Sequence, residues 1–122
     1  MPSLDKFGIT AVVNLWNITD PRVEHHVMSY TYSPLPDGKY PDLDVYTKLA
    51  YDAIACIDVG HVVLVHCHGG VNRSGLLNAI ILMFMTGIDG STAMKTILER
   101  RPGSFANKEF RVILDSLYVE AK

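Results

Sequence analysis

Residues 62–85 constrain the fold of this chain more than any other stretch. Val62-Val63-Leu64-Val65 is an apolar, β-branched run. His66-Cys67-His68-Gly69-Gly70-Val71-Asn72-Arg73-Ser74-Gly75 follows it, and Leu76 to Met85 is an apolar segment of helical length. The pattern reads as strand, tight loop, helix. That order gathers unpaired backbone N–H groups at a helix N-terminus, where they and the helix dipole favour an anion. A concave run of such groups is an anion nest, and phosphate is its commonest guest.

Two side chains give this nest chemistry. Cys67 stands at its entrance, and thiols close to a helix N-terminus and a cation ionise readily to the nucleophilic thiolate. Arg73 closes the loop with a planar fork that suits two oxygens of a phosphoryl group. Ser74 supplies a hydroxyl able to donate to the sulfur. The loop His68, Gly69, Gly70, Val71, Asn72 and Arg73 is therefore the candidate phosphate-binding segment, with Cys67, Arg73 and Ser74 as candidate catalytic residues. The plainer reading, a Cys67 buried as a small hydrophobe beside a solvated arginine, leaves the glycines and the strand–loop–helix context unexplained.

The rest of the chain supplies a domain around this loop. Its 122 residues suit one domain, 1–122, and 48% hydrophobic residues suffice for a packed core. A net charge of −2 gives no general nucleic-acid or membrane surface. The N-terminus lacks the apolar h-region of a signal peptide, and Leu76 to Met85 is too short to span a bilayer. Two cysteines, one of them a nucleophile, fit a reducing cytoplasmic compartment better than a disulfide scaffold. His25, His26 and His61 are scattered, whereas a zinc site needs clustered ligands, so no metal is expected.

Periodicity predicts the remaining elements. Ser3 caps a short helix stopped at Gly8; Thr10 to Leu15 and Val23 to Tyr32 read as strands; Trp16 to Arg22 reads as a polar turn. Ser33 to Pro41, with three prolines and a glycine, is a stiff loop. Asp42 caps a helix to Asp58 with Val45, Leu49, Ala53 and Ile57 on its apolar face. Gly60 and Gly87 end helices, Ser91 caps one over 92–101, and Asn107 caps the last. Strands alternating with helices imply an α/β fold with a mainly parallel central sheet flanked by helices. Sites in such folds lie at the C-terminal strand ends, so the strand that feeds the nest is expected at the centre.

His66-Cys67-x-x-Gly70-x-x-Arg73-Ser74-Gly75 resembles the signature of the cysteine-dependent protein tyrosine phosphatases, in their dual-specificity subgroup. Arg101-Pro102-Gly103 is a further familiar feature. The resemblance implies a protein tyrosine phosphatase-like fold and metal-independent hydrolysis of phosphotyrosine, with phosphoserine or phosphothreonine, on a phosphorylated protein. It also implies a phosphocysteine intermediate and no cofactor. Relatives usually begin with an extra strand or hairpin, which this sequence lacks. An N-terminally shortened sheet has an open edge, and an open edge predicts a homodimer.

Ester hydrolysis by a thiolate needs an acid for the leaving oxygen, and the same group then activates water. Pro36-Asp37-Gly38 resembles the loop that carries this acid in related phosphatases, so Asp37 is the expected acid. Asp42 is the rival, although it reads better as a helix cap. By resemblance His66 orders the loop and stays out of the chemistry. His68 is either a rim group that favours anions or a plain surface histidine. Asn72 is expected to hold the loop's shape. Trp16, Tyr32 and Tyr40 stack on a substrate ring or simply pack. Cys56 is core or a partner for oxidised Cys67. Two other functions remain: RNA 5′-phosphate removal, which Asn72-Arg73 resembles but which typically lacks the aspartate acid, and a phospho-binding pseudophosphatase, which normally loses the Cys, Arg or Asp.

Overall fold

The polar residue at the end of an apolar run, Asn14 after Ala11-Val12-Val13, marks the middle of the molecule. The computed structural model describes residues 8–19, 21–35, 41–67, 72–100 and 108–117. In chain order these form β1 (Ala11–Asn14), α1 (Pro21–His26), β2 (Ser29–Tyr32), α2 (Leu43–Asp58), β3 (Val63–His66), α3 (Arg73–Thr86), α4 (Gly90–Arg100) and α5 (Lys108–Ser116). The three strands make one parallel sheet in the order β2-β1-β3. Ala11, Val12, Val13 and Asn14 pair with Ser29 to Tyr32 on one side and with Val63 to His66 on the other.

The fold class expected from the sequence is thus present, and its central strand is a different one. All four residues of β1 are buried, the mark of a strand covered on both faces and flanked on both edges. β3 leaves Leu64 exposed and forms one border of the described sheet. Val62 to Val65 is as apolar as β1, and a short apolar run does not distinguish centre from edge.

α2 follows the sequence closely. Asp42 is its N-cap, accepting the backbone N–H of Asp44 at 3.1 Å and of Val45 at 3.4 Å. Its buried stripe is Tyr46, Leu49, Ala50 and Ala53, so Val45 and Ile57 sit at the margin of the apolar face. α3 ends where Gly87 turns left-handed at φ 80° and donates to the Met83 carbonyl at 2.8 Å. α3 packs between α2 and α4. Leu76, Leu77, Ala79, Ile80, Ile81 and Met83 are buried on several of its sides, as the nearly unbroken apolar sequence predicts. Phe110 and Leu114 of α5 complete the core.

Further expectations change, and Pro21 and Arg22, read as the end of a polar turn, are helical. Val23 to His26 is helix: Pro21 occupies the first turn, where its missing N–H costs nothing, with Glu24 toward the start and His25 and His26 at the end. Only Ser29 to Tyr32 of the predicted second strand is extended. α4 is capped by Asp89 and not Ser91: the Asp89 carboxylate accepts the Thr92 N–H at 2.8 Å, and Ser91 lies within the first turn. Hydrogen bonds from the Thr92 side chain and backbone hold the Asp89 carboxyl below the usual carboxylate range. Gly90 lies where α4 meets α5. Its N–H donates to Leu117 O at 2.9 Å, and a Cβ there would collide with the Leu114 carbonyl oxygen. The Ser3 cap, the Asn107 cap and Arg101-Pro102-Gly103 lie outside the described residues.

Candidate active site

Cys67 directly follows β3 and is 5% exposed. The first turn of α3 faces its sulfur. The Ser74 backbone N–H donates to Sγ at 3.4 Å, and the Ser74 Oγ lies 3.5 Å from it. That N–H is one of the orphan donors every helix start presents. Ser74 is 2% exposed, so both contacts are withdrawn from water and electrostatically strengthened. Two groups able to donate a hydrogen bond thus converge on the sulfur.

Arg73 starts the same helix. Its Nη1 donates to the Leu35 carbonyl at 2.9 Å. Its Nε is buried with no hydrogen-bond partner. An unsatisfied buried donor costs about 1–3 kcal/mol, more when charged, so an oxyanion that accepts from it recovers that cost. Asn72 caps the helix by position only. Its side chain makes no cap bond, while its carbonyl accepts the Leu76 N–H at 2.9 Å. The Ser74 N–H is thereby left to the sulfur.

A short backbone ladder joins the end of β3 to the segment that precedes the expected acid. The Leu15 N–H donates to His66 O at 2.8 Å, and the Leu35 N–H donates to Leu15 O at 3.0 Å. Leu35 in turn receives Arg73. Leu15 thus bridges the residue before Cys67 and the residue before Pro36-Asp37. Sequence reasoning missed Leu15 and Leu35. The one available signal was Asn14, an amide inside an otherwise apolar strand.

The expected site residues divide as follows. Cys67, Arg73 and Ser74 come together, and the His66 main chain joins them through Leu15. Asp37 and Tyr40 lie outside the described residues, as do His68, Gly69, Gly70 and Val71. Asp42 is engaged as a cap and Asp44 is exposed. Trp16 is half-buried and Tyr32 exposed, both near the C-terminal ends of β1 and β2. Cys56 is a free, half-buried thiol at the opposite end of the sheet. Its carbonyl accepts the His61 N–H at 3.0 Å, before β3 begins, whereas Cys67 follows the end of β3. A four-residue strand spans roughly 13 Å, and a disulfide needs Cα atoms within about 7 Å. Cys56 therefore does not reach Cys67 in this fold. Among the described residues no group of three or more His, Cys, Asp or Glu is placed to hold a metal ion, and no helix is long and apolar enough to cross a membrane.

A cysteine held between the end of a parallel strand and a helix N-terminus, with an arginine at that helix's first residue, is the arrangement that the resemblance to cysteine-dependent phosphatases implies. Residues 1–118 match the family described as dual specificity phosphatase, catalytic domain, and the chain belongs to that family. It is 31% identical over 99 residues to dual specificity protein phosphatase 1 of Mus musculus, covering 80% of this chain and 27% of that protein. It is 26% identical over 83 residues to cyclin-dependent kinase inhibitor 3 of Rattus norvegicus, covering 68% of this chain and 36% of that protein. The chain thus spans about a third or less of these curated relatives. Among solved structures, Tk-PTP in its active form superimposes with a TM-score of 0.82 at 25% identity, over 95% of this chain and 84% of that one. DUSP15 gives 0.82 at 22% identity, over 93% and 72%, a likeness of fold.

Proposed function

We propose that this chain is a metal-independent phosphatase that hydrolyses phosphate monoesters of proteins, phosphotyrosine together with phosphoserine and phosphothreonine, through a phosphocysteine. The observation that carries the reading is the double contact of Ser74 on the Cys67 sulfur at the start of α3. Such a contact has no purpose in packing a buried hydrophobe, and it stabilises a thiolate both as attacking and as leaving group.

In the first step the Cys67 thiolate attacks phosphorus. An S–P bond forms as the P–O bond to the alcohol breaks, and Asp37 gives its proton to the leaving oxygen. In the second step Asp37, now a carboxylate, takes a proton from water. The water oxygen bonds to phosphorus, and the thiolate departs toward Ser74. Arg73 and the loop amides carry the charge of the three equatorial oxygens in both steps, which is where phosphoryl-transfer catalysis chiefly lies. The Arg73–Leu35 bond supports this assignment, because it ties the clamp to the backbone beside Pro36-Asp37. Two free cysteines agree with a reducing, cytoplasmic setting.

The test is hydrolysis of p-nitrophenyl phosphate in excess EDTA by the wild type and by Cys67→Ser. Turnover that persists with EDTA and vanishes in the variant is expected. Loss of activity on chelation, or a Cys67→Ser variant that still turns over, would refute the proposal.

A further inference from the structure

Asn14 and Ser74 are the two buried polar side chains among the described residues, at 0% and 2% exposure. Ser74 serves the sulfur. Asn14 stands on the central strand, where Val12 and Val13 show what the position would otherwise favour, and asparagine is a poor strand former. Burying an amide costs free energy unless its hydrogen bonds are replaced. Here they are. Asn14 Nδ2 donates to the Ile18 carbonyl at 2.9 Å and to the Tyr30 hydroxyl at 2.8 Å, while Oδ1 accepts the Trp16 N–H at 2.9 Å. Trp16 N–H can only donate and the Ile18 carbonyl can only accept, so the orientation of the amide is fixed.

These three bonds fold residues 15–18 back over the end of β1, and Leu15 leads that turn. Its N–H and carbonyl are the rungs between His66 and Leu35. The Asn14 main chain adds a parallel rung by accepting the Ser33 N–H at 2.9 Å. Leu15 thus receives its geometry from Asn14 and passes it in two directions: to the residue before Cys67, and to the residue whose carbonyl holds Arg73 and whose successor opens the Pro36-Asp37 loop.

From this placement we infer that Asn14 is a positioning residue for the acid step, with Tyr30 as its support. The inference rests on the phosphatase reading above. Asn14 touches no reacting atom. It sets the register of the root of the acid loop against the nucleophile loop, and so decides whether the acid meets the leaving oxygen. Shifts of about 1 Å in such a constellation cost up to about a hundredfold. The loss falls where a proton must be delivered, on esters with basic leaving groups. A stability role alone lowers all rates together, in proportion to the folded fraction.

The experiment measures the rate of phosphocysteine formation with p-nitrophenyl phosphate and with phenyl phosphate. The wild type is compared with Asn14→Ala, Tyr30→Phe and, as reference, Asp37→Asn. The readout is the ratio of the two rates, which is independent of how much enzyme is folded. Asp37→Asn is expected to raise the ratio most, Asn14→Ala by about tenfold or more, and Tyr30→Phe in the same direction by about threefold, because it removes one of three bonds. A folded Asn14→Ala with the wild-type ratio would overturn the inference. If Asn14→Ala does not fold, an unchanged ratio in Tyr30→Phe overturns it instead. If Asp37→Asn itself leaves the ratio unmoved, the acid assignment fails first and the inference with it.

Discussion

Replacing Ser74 by alanine removes one oxygen atom from a site that is 2% exposed. It leaves the Ser74 backbone N–H at 3.4 Å from the Cys67 sulfur and deletes the hydroxyl at 3.5 Å. A hydrogen bond to a charged group contributes about 1.5–3 kcal/mol, which is about ten- to a hundredfold in rate. The distance is at the long end for sulfur and the N–H persists, so about tenfold is expected here. The loss should fall on the second step, where sulfur must leave phosphorus with its charge restored. Formation of the phosphocysteine should be affected less. Rapid mixing with p-nitrophenyl phosphate separates the two steps. Ser74→Ala should release a burst of nitrophenolate approaching one equivalent per site, followed by turnover slowed about tenfold. A wild-type melting temperature would show that packing is intact. A Ser74→Ala variant with no burst and wild-type turnover would refute the view that the hydroxyl serves the departing thiolate.

Other outcomes follow from the same structure. Asp37→Asn should cost about 10²–10⁴-fold on a basic leaving group and far less on nitrophenolate, removing the basic limb of the pH–rate profile. Asp42→Asn should do neither, because asparagine still caps α2, and a kinetic screen of both variants decides between the two carboxylates. Gly90→Ala should lower stability by about 1–3 kcal/mol or more, because the added methyl drives α4 and α5 apart at the Leu114 carbonyl; urea unfolding measures it. Asp89→Ala should lower the melting temperature at neutral pH. The Asp89 carboxyl is depressed in the folded state, so its stabilisation is complete above the ordinary value of 3.8 and lost as pH falls through the lower folded value. The difference between variant and wild type should therefore vanish at strongly acid pH, as melting scans across that range would reveal.

The strand before Cys67 and the helix that starts at Arg73 were legible in the sequence because their signals are local. A β-branched run, glycines, Cys67 and Arg73 at fixed spacing and an apolar helix all lie within 62–85. The same holds for α2, whose cap and end lie within one segment at Asp42 and Gly60. What was illegible depends on partners distant in the chain. The choice of β1 over β3 as central strand is made by pairing across the sheet, which two equally apolar runs do not encode. The bond from Arg73 to Leu35 joins residues 38 positions apart, so no local pattern announces it. Asn14 was visible as a polar intruder, but its role depends on Tyr30, a residue of the next strand. The helix Pro21–His26 was missed because Val27, Tyr30 and Tyr32 pulled the segment toward strand, although Pro21 and Glu24 are helix-start residues. The Asp89 cap was not read from the sequence because Ser91 is as good a cap residue, and the packing of Gly90 against α5 fixes where α4 begins.

The most direct test is to catch the bond the mechanism requires. The protein is mixed with a phosphotyrosine peptide in excess EDTA, quenched within the first turnover and digested, and the peptide that contains Cys67 is weighed. The account predicts one added phosphoryl group, located on the Cys67 sulfur, which disappears when the quench follows exhaustion of the substrate and is absent in Cys67→Ser. Turnover with an unmodified Cys67, or a phosphoryl group found on His66 or His68 instead, would contradict it.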